Sequence, residues 1–424
     1  MKDTLQRLLR PNSPQGEVDP ILAALAVLLL GFGVVMVFSA SAVEATVTFH
    51  DPFYFLKRQA VFALAGLGIM TLVSRIDYTK LRPLTYPILI GVTGLLLLSV
   101  IGFGHSGGGA ARWLALGPVH IQPSESAKLA LVLWLAYSLA KKKEQVKSFT
   151  VGMLPHFMTA GLLVVLCLRQ PDFGGALVLA LLTFTLLFVA GARTAYLMLI
   201  GAVGTGFAVL LVRFKSYRWE RILAWMNMDQ HRHDLAYQPF QSVMGLGSGQ
   251  VSGLGLGKGL QVLYLPEAHN DFIASIIGEE LGFIGITLLC VVYLAIVARG
   301  VRASLAAEDE YGSYIAFGIS VLFGLQVLIN LSVTMAILPT KGLTLPFISY
   351  GGSSLLVSAA AMGILLNISR SRGPARNQRL ADGPAPEASA LLATEADFAP
   401  VNRARRKKRR PVVTAPTPEG NEEA

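Results

Sequence analysis

Long apolar runs separated by short polar joints set the pattern of this chain. Ile21–Val43, Leu84–Gly104, Phe173–Ala192 and Gly342–Ser369 each pass without an Asp, Glu, Lys or Arg. About 20 apolar residues cross a bilayer core, so runs of this length predict transmembrane helices. The same reading predicts spans at roughly 20–43, 57–74, 84–104, 124–140, 151–168, 172–192, 194–213, 271–298, 311–338 and 344–369. The expected fold class is all-α and integral to a membrane, a polytopic bundle of about ten helices. Glu125 and Lys128 occupy the first turns of the fourth span, and only a tight turn at Arg193 parts the sixth from the seventh.

Charge in the short joints orients the bundle, because loops rich in Lys and Arg stay cytoplasmic. With the N-terminus inside, RIDYTKLR, KKKEQVK, Arg193, ARGVR and the C-terminal tail face the cytoplasm. Lys57, Arg58, Arg112, Arg169 and Lys341 fall on the other face, which is poorer in short-loop cations. Both termini are expected inside. The chain then divides into a cytoplasmic segment 1–19, a membrane domain 20–370 and a basic tail 371–424 that is disordered by composition. FSASAVEA resembles a signal-peptidase site, but the apolar core before it is longer than that of a signal peptide, so the first span reads as an uncleaved anchor.

Composition agrees. The 424 residues are 53% hydrophobic and 15% charged, against about a quarter charged in soluble domains. The net charge of +10 sits largely beside span ends and in RARRKKRR, so it fits membrane orientation and anionic lipid, not nucleic acid. Cys167 and Cys290 both fall inside predicted spans, where thiols pack rather than form a disulfide framework.

One long joint, about 214–270, falls on the outer face. It opens with YRWERILAWM, whose Trp219 and Trp225 suit a membrane interface. It continues as GLGSGQVSGLGLGKG, seven glycines between 245 and 259, which reads most simply as a flexible loop. A phosphate-binding P-loop is excluded, since Ser252 and Gly259 stand where Gly and Ser or Thr are required. Loops of this length are nonetheless often functional.

Charged and polar residues gather at the outer ends of the spans, and each has a structural explanation beside a functional one. Arg112 beside Trp113 can be an interfacial pair or an anion ligand. Glu125 and Lys128, three apart on a helix, can neutralise one another and still meet a phosphate. Asp172 in RQPDFGG can cap the next helix. Lys341 and the Gly351-Gly352-Ser353-Ser354 corner can bind an anion or form a tight turn. Asp271 can cap the eighth span, with His269 and Asn270 before it. Glu279 and Glu280 lie about two turns deeper, where capping cannot account for them and bonds to neighbouring helices or backbone can. No H-E-x-x-H or C-x-x-C string occurs to support zinc chemistry.

Five strings together, ARWLALGPVHIQPSESAK, RQPDFGGAL, YQPFQSVMGLGSGQVSGLGLGKGLQ, YLPEAHNDFIASIIGEELGFIG and LPFISYGGSS, resemble the SEDS family (shape, elongation, division and sporulation) in its own order. The likeness covers about residues 20–370. YLPEAH resembles the division-type members, the elongation type more often reading FLPEKH. Asn270 departs from the family's usual Thr. The resemblance implies ten helices, cytoplasmic termini and an outward cavity. It also implies a peptidoglycan glycosyltransferase that polymerises lipid II, a disaccharide-pentapeptide on undecaprenyl diphosphate, during septal wall synthesis. The family's essential acid falls on Asp271.

Such chemistry needs a base for the attacking sugar hydroxyl and positive charge for the departing diphosphate. Asp271 is expected as the base. Arg112 and Lys128 are candidates for the diphosphate; Glu125, Asp172, His269, Lys341 and Ser353 are further candidates for binding substrate, and Glu279 and Glu280 for bracing the helix. A divalent cation, Mg or Mn, can share the leaving-group charge, although no dedicated cage is visible. The partners implied are a class B, FtsI-like penicillin-binding transpeptidase, other division proteins and membrane lipid. The place implied is the inner membrane of a bacterium, at the division septum. A lipid II flippase, an elongation-type polymerase and a non-catalytic scaffold are the competing readings.

Overall fold

The computed structural model describes residues 16–103, 105–107, 110–116, 119–214 and 216–370. The basic tail and most of the N-terminal segment expected from the sequence lie outside these residues. Helix α1 (Pro20–Phe49) starts where Asp19 accepts hydrogen bonds from the Ile21 and Leu22 amides at 3.0 and 3.2 Å. It runs past the expected Val43, the Ser39 hydroxyl bonding Glu280 at 2.6 Å and the Ser41 hydroxyl the Val37 carbonyl of its own helix at 2.6 Å, so neither interrupts the backbone ladder. It ends at His50, in the left-handed region at φ 55°. Helices α2 (Tyr54–Arg75) and α3 (Thr85–Leu98) follow, the latter continued by a π-helical turn over Ser99–Phe103.

A small antiparallel sheet comes next, not expected from the sequence: β1 (His105–Gly107), β2 (Ala110–Leu116) and β3 (Val119–Ile121), in that order. Then come α4 (Pro123–Lys142), α5 (Leu154–Arg169), α6 (Phe173–Val189) and α7 (Thr194–Arg213). The long outer joint folds into α8 (Ser216–Met226), α9 (Tyr237–Ser248) and the glycine-rich segment. Helices α10 (Ile273–Ala306), α11 (Glu310–Thr334) and α12 (Gly352–Ile368) complete the described chain.

Among the described residues, five stretches are long and apolar enough to cross a membrane: α1, α2, the stretch ending in α5, α10 and α11. Four shorter apolar helices, α3, α6, α7 and α12, accompany them. Helix α4, where the fourth span was expected, is in neither group, and its position explains its charge. It is buried on nearly every side, Leu131, Val132 and Leu135 each at 0% exposure, so lipid does not meet Glu125 or Lys128. Helix α7 is the reverse, with Met198, Val203 and Phe207 exposed. One core joins α1, α2, α10, α11 and α12 around Met36, Phe323 and Ile348, and a second joins α3 to α6 around Leu96, Leu163 and Leu179.

Two joints differ from expectation. The tenth span begins at Gly352 rather than 344, because residues 335–351 fold back irregularly with Leu343, Leu345, Phe347 and Ile348 buried. Irregular backbone at such depth survives where protein covers it and its polar groups are paired. The glycine-rich segment is not a free loop. Its backbone pairs with a break in α10 at Gly282 (φ 68°): Leu254 and Gly255 donate to the Glu279 and Glu280 carbonyls at 3.0 and 2.9 Å, and Phe283 donates to Gln250 at 2.9 Å. Only glycine permits this approach. A Cβ on Gly249 would lie 1.9 Å from the Gly278 carbonyl oxygen, and one on Gly253 would lie 2.1 Å from that of Glu280.

Candidate functional site

Four segments converge at the loop-bearing end of the bundle: 268–272, 341–345, 172–175 and the end of α11. Asp271 lies ahead of α10, whose cap position is Phe272. Its half-buried carboxylate rests on Gly342, where a Cβ would stand 2.8 Å from Oδ2. Lys341, the next residue back, holds its Nζ 4.9 Å from the centre of the Phe173 ring. Gly174 packs on the same strip, since its Cβ would meet Leu343 Cγ at 2.7 Å and the Gly342 carbonyl at 3.3 Å. Acid, ammonium and aromatic ring are thus gathered on a segment that has no side chain at its centre.

Asp172 is buried and caps α6, accepting from the Gly175 amide at 2.8 Å. His269, 3% exposed, packs against Phe55 and Tyr350 with ring centres 4.4 and 5.5 Å away. Its Nδ1 stands 3.3 Å from Glu44 Oε2, near enough for an ion pair when protonated but not aligned as a hydrogen bond. Glu125 and Lys128 form a 2.7 Å ion pair, and Lys128 is only 1% exposed. Gln326 of α11 reaches the other Glu125 oxygen at 3.5 Å. The Ser353 hydroxyl, at the start of α12, accepts from the Gln122 amide at 3.2 Å.

Glu279 and Glu280 serve the glycine-rich segment. Glu279 accepts from the Leu260 amide at 2.8 Å and the Gln261 amide at 3.1 Å, and Glu280 accepts from the Ser39 hydroxyl at 2.6 Å. The side chain of Arg112 lies outside the described residues. Ser106 belongs to a G-x-S-x-G string, but it sits on β1 of the small sheet, without the strand–turn–helix that exposes a nucleophilic serine. Among the described residues no three His, Cys, Asp or Glu side chains gather to hold a metal ion.

Sequence reasoning missed Asn330 and Gln326. They lie four residues apart on α11, and Thr334 continues the row, so three polar side chains share one face of an apolar helix. That spacing was the available signal. The Asn330 amide donates to the carbonyl oxygens of Asp271 at 3.0 Å and Leu343 at 2.6 Å.

The family model that describes cell cycle proteins of the FtsW, RodA and SpoVE type matches residues 20–373. The chain belongs to this family. It is 48% identical to a probable peptidoglycan glycosyltransferase FtsW of Geobacter sulfurreducens, over 83% of this chain and 95% of that one. It is 40% identical to the stage V sporulation protein E of Bacillus subtilis, over 83% of this chain and 97% of the relative. Among solved structures it is similar to a chain of a peptidoglycan synthase complex that coordinates polymerization and crosslinking. There the TM-score is 0.69 at 30% identity, covering 84% of this chain and 99% of the other. The rod shape determining protein RodA of Thermus thermophilus matches with a TM-score of 0.61 at 29% identity, over 84% and 98% of the two chains.

Proposed function

We propose that this peptidoglycan glycosyltransferase polymerises lipid II with Asp271 as general base. The observation that carries the reading is the Asp271 carboxylate, half-buried at the loop-bearing end against Gly342, the chain neighbour of Lys341. A sugar hydroxyl of the acceptor gives its proton to Asp271 and attacks the anomeric carbon of the donor. The bond from that carbon to the lipid diphosphate breaks, with inversion at the centre. A positioned base contributes about 10²–10⁴ in rate. Cationic help for the leaving group comes from Lys341 and Arg112, while Lys128 holds Glu125 within the bundle. The half-buried setting keeps the ammonium and carboxylate less screened than in bulk water.

The loop-bearing end is the outer face, with both termini cytoplasmic, in keeping with the bias of Lys and Arg. Membership of the family supports a multi-pass membrane protein, and the many division-type relatives favour work at the septum. The structural neighbour in a polymerising and crosslinking complex supports a class B transpeptidase as partner.

The test is glycan polymerisation from purified lipid II, with that transpeptidase present and its active site blocked by a β-lactam. Asp271→Asn keeps the size of the side chain and removes the basic carboxylate. Turnover should fall by about 10²–10⁴ while the protein stays folded. Long glycan chains at near-normal rate from folded Asp271→Asn would end this assignment.

A further inference from the structure

Three consecutive carbonyl groups around the acid are each held by a donor from another part of the chain. The His269 oxygen accepts from the Tyr350 amide at 2.9 Å, the Asn270 oxygen from the Ser349 hydroxyl at 2.7 Å, and the Asp271 oxygen from the Asn330 amide at 3.0 Å. The two side-chain donors also bind the strip that faces the carboxylate. Asn330 donates to the Leu343 carbonyl at 2.6 Å, and Ser349 accepts from the Leu345 amide at 2.8 Å. Each of these side chains therefore spans the gap between the acid's backbone and residues 343–345.

Asn330 is suited to this by its chemistry. A carboxamide nitrogen has two N–H groups, so one side chain can satisfy two carbonyls, which neither a hydroxyl nor a carboxylate can do. The residue is 2% exposed and Ser349 likewise 2%, so water does not substitute for either donor. On the acid's side, the 268–272 segment precedes α10 and has no helical ladder of its own to hold it. On the other side, Gly342 leaves room for the carboxylate. This pair of bridges ties the backbone of Asp271 to the strip that follows Lys341.

We infer that Asn330 and Ser349 are positioning residues for glycosyl transfer, clamping the backbone of Asp271 at a fixed separation from the Lys341–Gly342 strip. The inference rests on Asp271 being the base. Catalytic groups must be held to within a fraction of an ångström, and a displacement of about 1 Å can cost about 10²-fold. Loosening a clamp lowers the rate of the chemical step and leaves substrate affinity largely alone, because neither residue touches the substrate.

The experiment compares wild type, Asn330→Ala, Ser349→Ala, Gly342→Ala, Asp271→Asn and the Asn330→Ala/Gly342→Ala double variant in the polymerisation assay. Rates are expressed per folded molecule, from the thermal transition in detergent. Each clamp variant should lower kcat by about 10- to 100-fold with KM for lipid II within about threefold of wild type. Because Gly342→Ala disturbs the same carboxylate, the double variant should fall short of the product of the single losses. Ser349→Ala keeps the inference open to refutation should Asn330→Ala fold poorly. If Asp271→Asn is slow while both clamp variants stay within twofold of wild type per folded molecule, the clamp is refuted and the base stands. Multiplicative losses in the double variant would also overturn it, showing that Asn330 supports the fold generally. Near-normal turnover in Asp271→Asn would remove the base and the clamp together.

Discussion

Gly342→Ala is the smallest change that reaches the acid. The added methyl carbon would stand 2.8 Å from Asp271 Oδ2, 3.5 Å from Cγ and 3.6 Å from Oδ1. Only the Oδ2 distance is impossible, and it falls short of ordinary contact by about 0.6 Å. The backbone of Asp271 cannot retreat, because the Asn330 amide holds its carbonyl at 3.0 Å. Nor can the strip move away freely, since Gly174 packs behind it with no space of its own: a Cβ there would already meet Leu343 at 2.7 Å. The carboxylate must therefore rotate about its own side-chain bonds, which shifts the basic oxygen and spares the fold.

A displacement of about 1 Å can cost about 10²-fold, so a shift of roughly half that should cost about tenfold in kcat, or about 1.4 kcal/mol in the barrier. KM for lipid II and the thermal transition should change little. The assay is polymerisation with the partner transpeptidase blocked, and Gly68→Ala serves as control, because a Cβ at Gly68 meets nothing within 4 Å. Wild-type turnover in Gly342→Ala would refute the reasoning, for it would mean that the carboxylate does not work from the place where it touches Gly342.

Two further outcomes test the scaffold. Gly282→Ala should lower stability by at least about 1–3 kcal/mol, seen as an earlier thermal transition in detergent, since φ 68° suits glycine and a Cβ would lie 2.4 Å from the Gly253 nitrogen. Lys128→Met should destabilise by about 3–5 kcal/mol by stranding Glu125, whereas Lys128→Met with Glu125→Gln should recover most of that loss; equal instability of both would show the ion pair to be unimportant.

The apolar helices were legible because membrane helices must be apolar over most of their length, and that leaves a long signal. Helix α4 was the hardest of them to place, as lipid never tests its surface and charge is tolerated inside the bundle. The small sheet over 105–121 left no comparable trace. Its strands are short, and the stretch contains Gly107, Gly108 and Gly109 in a row, which read as turn and not as strand. The glycines of 245–259 were visible, but composition alone does not separate a flexible loop from one pressed against another backbone. Gly249 and Gly253 are small for the second reason. Asp271 stood out as an acid at the mouth of an oily helix within a family string. Asn330 did not, because a single amide in LINLSV looks like an ordinary helix contact until the loop it grips is known.

The opposite end of the bundle bears on the choice between a polymerase and a lipid carrier. There Arg299 of α10 meets Asp19 ahead of α1 at 2.7 Å, and the Asp19 amide donates to Ser369 beyond α12 at 3.3 Å. The Asn367 side chain of α12 accepts from the Tyr78 amide at 3.0 Å and donates to the Ser74 carbonyl of α2 at 2.8 Å. Asp309, which caps α11, receives the Tyr78 hydroxyl at 2.8 Å and the Arg82 guanidinium, and Lys143 meets Glu310 at 2.8 Å. Individually the exposed pairs contribute only about 0–1 kcal/mol. The buried Asn367 bonds weigh more, because each group left unpaired costs about 1–3 kcal/mol. A carrier of headgroups as large as a disaccharide-peptide would have to part helices at this end in every cycle and break the bonds between them. The glycosyl transfer proposed at the loop-bearing end would break none of them, and the joints that would resist transport would give the proposed acid, its clamp and the glycine strip a rigid base.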